Sequence, residues 1–213
     1  MKIELKNIMP EPLREIEHGA SSIWGNDTEL RPGNLILLNA SSGKRKSTFS
    51  NTIYGVRLDY AGTILFDGRD IKQLSSDEWE QLRQTKISAV FQDLQLFHHL
   101  TVAENLRLKN ELTHHKTDEQ MMAMLERLGI GFKWDSPCGL LSMGQQQRVA
   151  IVRALCQPFE WLILDEPFSH LDEQNSRIAL DMIAEEARAQ NAGFVLTSLD
   201  PDTRFAYDYE LML

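Results

Sequence analysis

The chain has no hydrophobic run approaching the ~20 residues that cross a bilayer. Its opening stretch MKIELKNIMPEP also lacks the apolar middle of a secretion signal, so a soluble, cytoplasmic protein is expected. Cysteine is scarce. Cys138 and Cys156 are too far apart for a C-x-x-C pair, which argues against a zinc or redox motif and suits two small buried hydrophobes in a reducing compartment. Positive charge is short as well: 22 Lys and Arg stand against 31 Asp and Glu, a net charge of −9. That balance argues against a nucleic-acid partner, because affinity for a phosphate backbone comes from clustered Lys and Arg. Any anion site must therefore be local. Repeats, linkers and low-complexity tracts are missing too. What remains, 213 residues with 42% hydrophobic and 25% charged side chains, is enough for one sizeable core or two small ones.

Strand and helix signals alternate along this chain. SSIWGNDTEL alternates and meets the turn RPG, NLILLNA reads as a buried strand, STFSNTIYGVRL has helical spacing, and AGTILFDG is a short strand between turn residues. SSDEWEQLRQ begins like a helix capped by Ser76 or Asp77. The strand ISAVFQ follows, then a helical middle from about Thr101 to Gln157, the strand WLILDE, the helix EQNSRIALDMIAEEARAQ and the strand GFVLTS. Such alternation predicts an α/β fold, a mainly parallel sheet with helices on its faces, interrupted by a helical insertion.

Ligands of such sheets sit at the carboxyl ends of strands, so the loop NASSGKRKST after LILL is a candidate phosphate cradle. A phosphate loop reads G-x-x-x-x-G-K-S/T. Here the Lys-Ser is present, but Ala40 and Arg45 occupy the two outer glycine positions. In that reading Ser42, Gly43 and the amides of Lys44, Arg45, Lys46, Ser47 and Thr48 face the phosphates, Lys46 reaches the outer ones and the Ser47 hydroxyl ligates Mg²⁺. A polar, basic turn before a helix explains the same residues equally well. WLILDEP offers a second half. An apolar strand ending in two carboxylates suits metal-nucleotide chemistry, with Asp165 holding Mg²⁺ through water and Glu166 polarising the attacking water, although an acidic pair there is otherwise a helix cap or a solvated turn.

LSMGQQQRVAIVRAL, Leu141 to Leu155, resembles the L-S-G-G-Q signature segment of ATP-binding-cassette (ABC) ATPases and the helix that follows it. ISAVFQDLQLFHHLTVAENLRL resembles the segment carrying that family's Q-loop glutamine, here Gln92, and FSHLD resembles its D-loop. YAGTILFDGRDI resembles the turn and strand before it, so the likeness covers nearly the whole chain. It is nearest in flavour to the ATPases of lipoprotein release, macrolide export and cell division. The resemblance implies a P-loop NTPase core with an antiparallel β part. One cassette domain would span 1–213, with its core at about 1–92 and 158–213 and a helical subdomain at about 93–157. It further implies two ATP molecules in a head-to-tail homodimer or heterodimer. Each site would take the phosphate loop, Asp165, Glu166 and Gln92 from one chain, and Ser142, Gly144 and Gln145 from the other. Gln92 is then both a catalytic-site and a Mg²⁺-contacting residue, and a transmembrane permease holds the protein at the inner face of the membrane.

The same resemblance exposes departures. Met143 replaces a signature glycine, Ser198 stands where the family has a histidine after the last core strand, and Met9 and Pro10 fall where a stacking tyrosine belongs. Trp24 lies too far along and reads as core, while His98 and His99 read as a solvated or partner-facing pair. A group acting on the γ-phosphate contributes 10²- to 10⁴-fold to rate, so slow turnover is expected. Steric blockage by Arg45 would weaken binding and its charge would strengthen it. Two alternatives stay open at this point: a degenerate subunit whose signature completes a partner's site, and a soluble relative without a permease.

Overall fold

Strands covered on both faces must be apolar at successive positions rather than alternate ones. The computed structural model describes residues 1–39, 43–198 and 205–213, with only the backbone of Gly43 and Lys44. In it β3 (Leu35–Asn39) and β7 (Trp161–Asp165) are buried at every position, and β8 (Gly193–Ser198) at all but its last. With β6 (Ile87–Val90) and β9 (Tyr209–Met212) they form a five-stranded sheet of order β6-β7-β8-β3-β9, parallel throughout.

Pleating sorts the strand residues between two cores. Leu35 and Leu37 join a cluster built with α3 (Val102–Asn110), α4 (Asp118–Arg127), α5 (Met143–Leu155) and α6 (Glu173–Ala189), so the helical middle shares its core with one face of the sheet. Ile36 and Leu38 face the other cluster, with Phe49 and Ile53 of α1 (Gly43–Ile53) and Trp79 of α2 (Ser76–Thr85). An antiparallel sheet of order β2-β1-β4-β5 closes this second core. It comprises β1 (Ile3–Pro10), β2 (Thr28–Leu30), β4 (Tyr60–Phe66) and β5 (Arg69–Asp70). Where β1 shifts register between Lys6 and Met9, β4 approaches so closely that a Cβ on Gly62 would lie 2.3 Å from Asn7 O.

Reciprocal capping boxes start four of the helices, Ser75/Glu78 at α2, Thr101/Glu104 at α3, Thr117/Gln120 at α4 and Ser142/Gln145 at α5. Each satisfies two otherwise unpaired amides and contributes on the order of 1 kcal/mol. The cap of α2 is thus Ser75, one residue before the expected Ser76 or Asp77. SSIWGNDTEL contributes only its last three residues to a strand, because Gly25 turns the chain at φ +77°. Trp24 is nonetheless core, 3% exposed. No described helix is long and apolar enough to cross a membrane.

Parallel pairing sets Asn39 beside Ser198 and Asp165 beside Thr197. The start of α1, the acidic pair and the end of β8 therefore share the carboxyl end of the parallel sheet.

Candidate nucleotide site

Lys46 is fully buried in the first turns of α1. Its Nζ lies 2.5 Å from Glu166 Oε1, and among the described residues the ammonium meets no acceptor at hydrogen-bonding angles. One carboxylate thus neutralises it without saturating its three donors. The Arg45 guanidinium donates to Leu213 O at 3.2 Å and Glu17 O at 3.1 Å, which ties α1 to the residue after β9 and to the segment after β1. Ala40 and Ser42 lie outside the described residues. Gly43 and Lys44 begin α1 as backbone, while Thr48 is buried in the next turn.

Asp165 and Glu166 leave β7 in different environments. Asp165 is 2% exposed, and burial pushes its carboxyl above the usual range against hydrogen bonds from Ser47 and Thr197. Thr197 Oγ1 donates to Asp165 Oδ1 at 2.9 Å and accepts Glu166 N at 3.3 Å. Glu166 itself sits at φ +49°, a left-handed conformation that costs a non-glycine residue about 1 kcal/mol. Gln147 helps to hold it there, donating Nε2 to Glu166 O at 3.1 Å. Neither Thr197 nor Gln147 was picked out from the sequence. Thr197 was hidden beside the more conspicuous Ser198, and Gln147 is the third of three consecutive glutamines.

Gln92 is exposed just beyond β6 and lines one cavity, of about 800 Å³, together with Ser47 and Asp165. A hydroxyl, a carboxylate and an amide oxygen suit Mg²⁺. Among the described residues no cluster of three or more His, Cys, Asp and Glu is placed to hold a metal. The same cavity is walled by Tyr54, Phe91, Phe97, Leu108, Lys109 and Arg153, at the junction of the sheet with the helical middle. Phe97 is 51% exposed and His98 and His99 are exposed, whereas Leu94 and Leu96 are buried. Two consecutive left-handed residues, Leu94 and Gln95, follow Gln92, and Arg153 donates to both of their carbonyls. Burial depresses the Lys109 ammonium to about 8 and lowers Arg153 as well.

Ser142, Gly144 and Gln145 line no part of that cavity. They form the amino terminus of α5. Ser142 Oγ accepts the Gln145 amide at 3.3 Å, and Gln145 Oε1 accepts the Ser142 amide at 3.0 Å, which leaves the serine's proton and the first-turn amides to meet an anion. Met143 occupies the first helical position, half exposed, where no left-handed φ is required. Gly144 is needed for a different reason: a Cβ there would lie 2.6 Å from His170 O.

The family model described as ABC transporter matches residues 25–169. The chain belongs to the ABC transporter family. A lipoprotein-releasing system ATP-binding protein LolD of Buchnera aphidicola is 34% identical over 179 residues, 81% of this chain and 76% of that protein. The macrolide export ATP-binding/permease protein MacB of Pasteurella multocida is 37% identical over 189 residues, 85% of this chain and only 28% of its own length. The dimeric structure of the bacterial ABC transporter cassette MJ0796 superposes with a TM-score of 0.77 at 25% identity, covering 92% of this chain and 87% of that one. This ABC chain is therefore an α/β cassette with a parallel and an antiparallel sheet, as the sequence resemblance implied.

Proposed function

We propose that this chain is the ATP-binding subunit of an ABC transporter. It binds and slowly hydrolyses ATP with Mg²⁺ at a head-to-tail dimer interface, and it drives a membrane permease from the cytoplasmic face. The observation that carries the reading is the hydrogen-bonded set Ser47–Asp165–Thr197 beside the buried pair Lys46–Glu166. Buried charge and desolvated carboxylate at the carboxyl end of a parallel sheet suit phosphoryl transfer better than a solvated turn. Because the set is assembled, an active site is favoured over a degenerate subunit that only lends its signature.

The chemistry follows from these groups. Lys46 exchanges part of its contact with Glu166 for phosphate oxygens, and the amides of α1 face the same anion. Ser47 and Asp165, with Gln92 near by, would hold Mg²⁺, which when bound would supply charge neutralisation on the phosphates. Glu166 accepts a proton as the water oxygen attacks the γ-phosphorus, and the electron pair of the breaking β–γ P–O bond leaves with ADP. Ser142 and the start of α5 meet the γ-phosphate from the second chain. Residues 93–157 act as the helical subdomain, and the groove at Phe97 and Leu108 receives an apolar helix of the permease.

Titration with ATP-Mg²⁺ by calorimetry, followed by a phosphate-release assay, tests the proposal. Micromolar to millimolar binding with slow release supports it; no release by the chain alone, with hydrolysis appearing only when a partner ATPase is added, would point to the degenerate subunit.

A further inference from the structure

We propose that His170 is a catalytic residue working in trans, giving the γ-phosphate of the facing chain's ATP the hydrogen bond that Ser198 is too short to give. The inference rests on the head-to-tail reading above. Its observations are local to the loop between β7 and α6.

That loop is fastened to the first turns of α5 at several points. Gln147 bridges it from one side, with Nε2 donating to Glu166 O and to Ser169 Oγ, at 3.1 and 3.2 Å, and Oε1 accepting His170 N at 2.9 Å. The approach of His170 O to Gly144 fixes the other side, since even a methyl group on residue 144 would collide with it. The backbone of His170 is thereby held against the first turns of α5, the helix that Ser142 caps. Its imidazole is exposed and makes no hydrogen bond among the described residues, so the capping and bridging contacts use only its backbone.

No other histidine is so placed. His18 is bonded to Leu13 O, His98 and His99 follow Gln92 beside the cavity, and His114 and His115 lie between α3 and α4. His170 is thus the one histidine whose backbone packs on the first turns of α5, the helix that Ser142 caps. Its chemical task is limited. Water's oxygen bonds to the γ-phosphorus, its proton passes to Glu166 of the chain holding the ATP, and the β–γ P–O electron pair goes to ADP. His170 keeps its own proton throughout and donates a hydrogen bond to a non-bridging oxygen, a contact that strengthens as charge builds there.

The experiment uses the purified chain, with phosphate release and ATP titration as readouts. His170→Ala is expected to lower kcat about 100-fold with KM for ATP within about twofold and an unchanged melting temperature, and His170→Gln, which retains a donor, to recover part of the rate. The decisive step is mixing two inactive variants, Lys46→Ala and His170→Ala. In a mixed dimer one site has an intact Lys46 from one chain and an intact His170 from the other, so random pairing restores about a quarter of wild-type activity. If His170→Ala turns over like the wild type, or if the mixture stays inactive, the inference falls while the proposed function stands. If the wild type shows neither hydrolysis nor ATP-dependent dimerisation, the proposed function falls and takes the inference with it.

Discussion

Lys46 Nζ and Glu166 Oε1 lie 2.5 Å apart, with the lysine fully buried and the glutamate side chain 15% exposed. A buried ammonium without a counter-ion costs several kcal/mol, so Glu166 stabilises Lys46 in this structure. Under the proposed function, base and phosphate would compete for that one cation. Glu166→Gln is therefore expected to act twice: hydrolysis falls at least 100-fold, and affinity for ADP, which has no γ-phosphate to trap, rises several-fold. The nucleotide-free variant melts a few degrees lower. Calorimetry with ADP checks the second effect, and an unchanged ADP affinity would show that the pair has no part in binding.

Arg45 makes the opposite kind of contact, outward. Its guanidinium ties α1 to Leu213 O and Glu17 O, and a charged donor bonded to a carbonyl contributes about 1.5–3 kcal/mol. Arg45→Gly, which restores the usual glycine, should thus weaken ATP-Mg²⁺ binding about tenfold and lower the melting temperature. Arg45→Lys keeps the charge but not the two-pronged geometry, and should fall close to the glycine variant. Tighter binding by Arg45→Gly would overturn this.

Thr197 sets a pH dependence. Burial already raises the Asp165 carboxyl, so the carboxylate that would hold Mg²⁺ under the proposed function is lost as pH falls through that raised value. Thr197→Val removes the donor at 2.9 Å that opposes the shift, and the acid-side loss of ATP-Mg²⁺ binding should begin at higher pH. Thr197→Ser should restore the wild-type profile. Binding curves from pH 5 to 8 for the three proteins decide the matter.

Phe97 offers a test of the groove. At 51% exposure it contributes little to the core, so Phe97→Asp should leave the melting temperature nearly unchanged while abolishing co-purification with the cognate permease. A collapsed melting temperature would make it core, and unchanged co-purification would place the docking site elsewhere.

The elements legible in the sequence were those whose burial is two-sided. LILLN and WLILD are apolar at consecutive positions because helices or a second sheet cover both faces. β9, with exposed Tyr209, Glu210 and Met212 at a sheet edge, has no such pattern, and the alternation of β1 breaks at its bulge around Asn7. In the site, residue types at fixed spacing named Lys46, Ser47, Asp165 and Glu166, and the family resemblance named Ser142. Side-chain direction was beyond reach. Whether Arg45 enters phosphate space or leaves it depends on carbonyls 28 and 168 residues away, and which of three adjacent glutamines touches the β7–α6 loop depends on the rotational phase of α5.

One cavity is lined by Ser47 and Asp165 and also by Phe97 and Leu108. Solvent excluded at either wall is solvent withdrawn from the other. A helix seated against Phe97 lowers the local dielectric around a carboxylate that burial already disfavours, so ionised Asp165 then depends more strongly on a cation. Under the proposed function, partner and Mg²⁺ would in consequence reinforce one another, and reciprocity would make the nucleotide-loaded, metal-bound chain hold its membrane partner more tightly by the same factor.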